Sequence, residues 1–121
     1  MHRIQKGDFS VDDILSNVAD DRAGAVVLFV GMVRTEKGLK ALDYQAYDEM
    51  AAEKLEQLRS TALEKFKLKK ATILHRKGRL TVGQKVVIVA CSAPHRKEAF
   101  QACEWLISEI KKVVPIWKKE I

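Results

Sequence analysis

The clearest feature of the chain is a change in the period of its apolar positions. Ala25–Val33 is a nearly unbroken apolar run rich in valine, which suits a strand covered on both faces. Leu42, Tyr44 and Ala46 then alternate with Asp43, Gln45 and Tyr47, the two-residue period of a half-buried strand. Beyond them Ala51, Leu55, Leu58, Ala62 and Phe66 recur at three- and four-residue steps, which predicts an amphipathic helix with Asp48 as its cap. Thr72–Arg76 and Lys85–Cys91 read as strands joined through Gly78 and Gly83 in a hairpin-type connection. Val86–Ala90, wholly apolar, predicts a central strand.

A second long helix is expected from about Pro94 to Val113, with Ala99, Cys103, Leu106, Ile107 and Ile110 as its apolar stripe. Ser92 is available as its cap and Pro94 suits its first turn. Pro115 ends it, and Ile116–Ile121 reads as extended. Near the start, His2–Gln5 suits a short strand and Ser10 opens a helix over Val11–Val18. Thr35–Lys40, with Gly38 among polar neighbours, is a turn or loop. Strands and helices mix without strict alternation, so the class is α+β: a mainly antiparallel sheet with two long helices packed on it. No repeat, low-complexity tract or linker interrupts the 121 residues, which suit one domain over residues 1–121.

Charge narrows the partners. Lysine and arginine number 22 against 16 acids, a formal charge of +6, which favours something anionic: nucleic acid, an acidic protein or a phosphorylated small molecule. The basic residues are scattered. Lys67, Lys69 and Lys70 form the densest group before the C-terminus, and neighbouring Phe66 falls in helical register with the core. An RNA-binding surface calls instead for cations interleaved with exposed aromatics. The first residues hold no apolar run fit for a signal peptide, and no stretch is apolar enough to span a bilayer. Cys91 and Cys103 lie in apolar contexts and make no disulfide framework, so reduced thiols and a cytoplasmic location are expected.

The usual catalytic signatures are missing: there is no glycine-rich phosphate loop and no nucleophile elbow. Cys91 and His95, four apart, are a lone pair without a second pair to complete a metal site, and no metal or cofactor is expected. Neither cysteine is placed as an exposed thiolate, so any sulfur handled here arrives on another molecule. What remains is a set of cations at the ends of elements. Arg34 closes the apolar strand just after Gly31, where backbone can be approached closely. His95 and Arg96 open the last helix, where free N–H groups and the dipole favour an anion. Lys111 and Lys112 close that helix, and Lys118 and Lys119 follow Trp117. Each has a plain structural reading. Lysines in a last turn complement the dipole, Arg34 is the first solvated residue after a strand, His75 beside Arg76 is a satisfied half-buried side chain, and Trp117 is a core anchor rather than a stacking platform.

In order along the chain stand Phe29-Val30-Gly31-Met32-Val33-Arg34, then Tyr44-Gln45-Ala46-Tyr47 with Met50-Ala51, then His75-Arg76-Lys77-Gly78. Pro94-His95-Arg96-Lys97-Glu98-Ala99-Phe100 follows, and Lys111 leads to Pro115-Ile116-Trp117-Lys118-Lys119-Glu120. Taken together, these strings resemble successive motifs of the molybdopterin synthase catalytic (large) subunit family, from about Gly24 to Glu120. The resemblance implies an α/β-hammerhead-like fold and a sulfurtransferase of molybdenum cofactor biosynthesis. A small ubiquitin-like subunit would bring sulfur as a C-terminal thiocarboxylate, and two transfers would convert cyclic pyranopterin monophosphate into the dithiolene of molybdopterin. It also implies a homodimer at the centre of a heterotetramer. By motif position Lys111 and Lys118 are the catalytic lysines, Arg34 a pocket cation, and His95 and Arg96 an anion-binding pair. Fixed cations suit a phosphorylated substrate and an anionic donor tail. A lysine among other cations, shielded from water, loses its proton more easily and can act as base or nucleophile.

His95 and Lys111 are sixteen positions apart on one expected helix, about 24 Å along its axis at about 1.5 Å per residue. One chain therefore hardly brings both to one small ligand. The expected site takes Lys111, Lys118 and Arg34 from one subunit and His95 and Arg96 from its mate. Two departures from the family pattern stand out: Gln45 replaces a common glutamate, and the sequence stops at Ile121 where many relatives continue, so contacts made by such a tail are expected to be absent or replaced. The rival readings are a basic module that binds RNA or an acidic protein, with salt-sensitive binding and no special need for Lys111, and a family member that keeps the fold without activity.

Overall fold

A computed structural model describes residues 2–121 and contains ten elements. In chain order they are β1 (His2–Gln5), α1 (Val11–Val18), β2 (Ala25–Met32), β3 (Ala41–Ala46), α2 (Asp48–Lys65), β4 (Lys70–Arg76), β5 (Gly78–Thr81), β6 (Lys85–Ala93), α3 (Arg96–Val113) and β7 (Ile116–Glu120). The α+β class and the two long helices follow the apolar periods. The strands form two sheets, of order β1-β4-β6-β2 and β5-β3-β7. Every pairing is antiparallel except β1 with β4, which is parallel.

The larger sheet is covered on both faces. On one, α2 and α3 bury Leu55, Ala62, Ala99 and Leu106 against Ile73, Val89 and Cys91. On the other, α1 sets Ile14 and Val18 over Leu74, Ile88 and Ala90. The all-apolar segment of β6 is central, between β4 and β2, as its composition requires. A third cluster, Val33, Leu42, Leu80 and Val86, joins the smaller sheet to the larger.

Four local expectations change. The valine-rich β2 is an edge strand, only half-buried, with Phe29 36% and Met32 55% exposed. Apolar residues on both faces call for layers above and below a strand but say nothing about whether both edges are paired. The hairpin between β4 and β6 carries an extra strand, β5, which leaves for the smaller sheet and pairs with β3. Four residues were too few to show a period, and Gly78 and Gly83, at φ +94° and +90°, make the turns on either side. Ser92 is no helix cap: it lies buried in β6, where its hydroxyl accepts from the Lys70 amide at 3.1 Å. The helix starts at Arg96 with His95 in the cap position. Asp48 likewise lies inside the first turn of α2 and pairs with Lys77. Ser10 does cap α1, accepting from the Asp13 amide at 3.2 Å.

Candidate active site

A half-open cavity of about 480 Å³ lies where the last turns of α3 meet β2, β6 and the smaller sheet. Its walls are apolar: Phe29 from β2, Val87 and Val89 from β6, Ile107 and Ile110 from α3, and Ile116 from β7. Gly31 forms part of the wall where β2 shifts register against β6. A Cβ there would lie 2.7 Å from Val87 Cγ1, so glycine keeps this wall thin. The volume suits a small molecule or the end of a peptide.

Lys111 and Lys118 both line this cavity, from different elements. Lys111 shares a face of α3 with Ile107 and Ile110, at helical spacing. Lys112 lies off that face and pairs with Glu109 at 3.9 Å. In the smaller sheet Lys118 stands opposite Tyr44, which also lines the cavity, whereas Lys119 stands opposite Asp43. Directly opposed strand residues share a face, so β7 directs Lys118 toward the cavity and Lys119 to the other side. Pro115 lies between Val113, which ends α3, and Ile116, which opens β7, in the short turn that brings the two lysines together.

The other three expected residues are elsewhere in the chain. Arg34 lies two residues past Met32, which lines the cavity, but its own side chain is 85% exposed and pairs with Glu36 at 3.2 Å. His95 and Arg96 are exposed at the far end of α3. Arg96 is fifteen positions from Lys111 on that continuous helix, about 22 Å along the axis.

Three side chains acquire a role that their sequence context did not give them. His75 is 7% exposed and lines the cavity. Its ring packs tilted against Tyr44, with centroids 5.4 Å apart. Burial pushes the imidazole below its usual pKa, against a smaller opposing effect from its hydrogen bond to the Arg76 backbone. Tyr44 is half-buried, and burial raises its phenol. Trp117 is not a core anchor: it is 43% exposed, borders the cavity and packs against Tyr47 with centroids 5.0 Å apart. A signal for His75 was present in the sequence, because it falls on the strand face of Ile73, where period two calls for an apolar residue.

The cysteines stand apart from this site. Cys91 and Cys103 are buried and free, and Cys103 Sγ lies 3.7 Å from the Val89 carbonyl. The hydrogen bond with Cys103, with burial added, pushes the Cys91 thiol far above its usual range. No group of three or more metal-ligating side chains occurs among the described residues, and none of their helices is long and apolar enough to cross a membrane.

An apolar cavity with two exposed lysines among its lining residues can take an anion attached to a less polar body. The chain belongs to the MoaE protein family, whose model matches residues 4–113. A molybdopterin synthase catalytic subunit from Pyrococcus abyssi is 43% identical over 117 residues, 94% of this chain and 79% of that protein. The solved molybdopterin synthase from Staphylococcus aureus superposes with a TM-score of 0.93 at 39% identity, covering 98% of this chain and 89% of that one. The same fold, at a TM-score of 0.84 and 24% identity, occurs in a protein–protein complex of subunits 1 and 2 of the molybdopterin-converting factor from Helicobacter pylori, over 98% of this chain and 83% of that one.

Proposed function

We propose that the chain is the catalytic subunit of a molybdopterin synthase, an enzyme that transfers sulfur from the C-terminal thiocarboxylate of a small ubiquitin-like partner to cyclic pyranopterin monophosphate. Family membership supports the reaction. The observation that carries the site is the meeting of Lys111 and Lys118 in one cavity. The partner's extended tail enters this cavity, and its apolar walls strip water from the anionic end. One lysine serves as base or nucleophile toward the acyl group, while the other, as a cation, stabilises the developing negative charge. No thiol of this chain takes part, in keeping with the burial of both cysteines. Free thiols fit the cytoplasmic setting proposed for the enzyme.

Arg34, His95 and Arg96 serve the same chemistry as substrate-binding cations. The length of α3 supports a site shared across a homodimer, with Lys111, Lys118 and Arg34 from one subunit and His95 and Arg96 from the other. Among the described residues no strand pairs with the outer edge of β2, and the exposure of Phe29 and Met32 on that strand supports pairing as well. In the proposed assembly this dimer carries one small subunit at each end.

The test supplies thiocarboxylated small subunit and pterin precursor, then measures dithiolene product with the unmodified chain and with Lys111→Ala. Product from the first and none from the second supports the reading, and equal product from both overturns the role of Lys111. For the shared site, inactive Lys111→Ala and Arg96→Ala chains are combined. Recovery of activity in verified mixed dimers is expected, and its absence there refutes sharing.

A further inference from the structure

His75 brings to the cavity lining a ring nitrogen whose chemistry differs from that of the two lysines. Its place follows from register: His75 pairs with Val87 of β6 as Ile73 pairs with Val89, which sets the ring on the face that α2 and α3 cover. There the ring reaches the cavity rather than closed core. Nδ1 lies 2.7 Å from the Arg76 backbone oxygen. A carbonyl oxygen only accepts, so Nδ1 carries the hydrogen and, in the neutral ring, Nε2 presents a lone pair. Nε2 has no hydrogen-bond partner among the described residues. Their one fully buried side-chain polar atom lacking a partner is Glu98 Oε2, so Nε2 is not fully enclosed, and the space that His75 lines is the cavity.

The remaining polar side chains around the cavity are mainly donors. Lys111 and Lys118 donate in their charged form, as does the indole of Trp117, and the Tyr44 hydroxyl does either. Such a lining grips an anion but leaves the orientation of the attached ring free. A neutral acceptor held at a fixed position supplies that orientation, because it rewards a ring N–H or O–H and rejects a ring that turns a lone pair toward it.

We propose that His75 is a substrate-orienting residue, whose Nε2 accepts a hydrogen bond from an N–H or O–H of the heterocycle in the cavity while the lysines hold its anionic end. The assignment rests on the sulfur-transfer reading of the same cavity and deepens it by naming the group that selects the substrate's ring edge.

Two near-isosteric variants separate this role from a structural one. In His75→Asn the side-chain amide replaces Nδ1–H and keeps the bond to the Arg76 carbonyl, but nothing stands in the place of Nε2. In His75→Gln the amide oxygen reaches the Nε2 position and that local bond is given up. Equilibrium binding of cyclic pyranopterin monophosphate is measured in complexes with a small subunit ending in an ordinary carboxylate, which cannot react, and melting temperature is recorded for every variant. About tenfold weaker binding is expected for His75→Asn, and binding within about threefold of the unmodified chain for His75→Gln. A precursor analogue methylated at the contacted nitrogen or oxygen should bind the unmodified chain about tenfold more weakly while leaving the His75→Asn affinity unchanged. The opposite ranking of the variants, equal binding by both, or losses that track melting temperature would overturn the assignment. If the unmodified chain neither binds the precursor in this complex nor converts it with the thiocarboxylated small subunit, the sulfur-transfer reading itself falls. Conversion with the thiocarboxylated small subunit, together with indifferent His75 variants, defeats only the role of His75.

Discussion

Lys118 stands directly opposite Tyr44 in the ladder between β3 and β7, and Lys119 stands opposite Asp43. That register turns two adjacent, chemically identical side chains to opposite faces of a three-stranded sheet. Tyr44 is itself half-buried against His75, so the face that Lys118 shares is the face of the cavity. A one-residue slip of β7 would exchange the two lysines.

Lys118→Ala is accordingly expected to lower dithiolene formation by about 100-fold or more, the scale of losing an acid–base group. Lys119→Ala should stay within about threefold. The same contrast is expected between Lys111→Ala and Lys112→Ala, because Lys112 is turned toward Glu109. Turnover per active site at saturating partner and precursor checks both pairs. Comparable losses at 118 and 119 would remove the register argument.

Sulfur transfer should survive loss of either thiol. Cys91→Ala and Cys103→Ala each remove a buried side chain that packs in the core, with a stability cost of about 1 kcal/mol expected. Their turnover should match the unmodified chain at a temperature where all three are folded. Alkylating reagents should modify neither cysteine in the native protein, because both are buried and Cys91 is held far toward its neutral form. Mass spectrometry after brief alkylation reads the second outcome, and rapid labelling of Cys91 would contradict it.

Acid should weaken the fold through His75 before the carboxylates titrate. Its folded pKa is lowered by burial from the ordinary 6.5. Between those two values the unfolded chain binds more protons, so stability rises with pH. The stabilisation is complete above about 6.5. It is lost as pH falls from there through the folded value, below which this group adds no further slope. Melting temperatures across the interval should fall toward acid, and His75→Gln should flatten the curve. An unchanged slope in that variant would assign the effect to another group.

Two glycines should differ in their tolerance of a methyl group. At Gly31 a Cβ would meet the end of the Val87 side chain at 2.7 Å, an overpacking cost of about 1–3 kcal/mol. At Gly24 it would meet the Pro94 backbone oxygen at 2.5 Å, and backbone yields less readily than a side chain. Gly24→Ala should therefore lower the melting temperature more than Gly31→Ala. Gly31→Ala should in turn raise KM for the precursor, because it thickens the cavity wall.

The amino-acid sequence by itself determined the periods, and with them the two long helices, the central strand β6, the α+β class and, through its ordered motifs, the family. Periodicity is a local property, written in neighbouring residues, and needs no knowledge of what packs on what. Tertiary structure decided the rest. It made the valine-rich β2 an edge, drew β5 out of the hairpin into a second sheet, and turned Trp117 outward from the core. It also separated Lys118 from Lys119 and gave His75 an open nitrogen, because register and cavity both come from elements distant in the chain meeting in space. Lys111 and Ile107 share a face by helix geometry alone, but Lys111 meets Lys118 only because a proline turn folds β7 back beside β3. A linear pattern specifies which face of an element is apolar, and only the assembled layers specify what that face encloses.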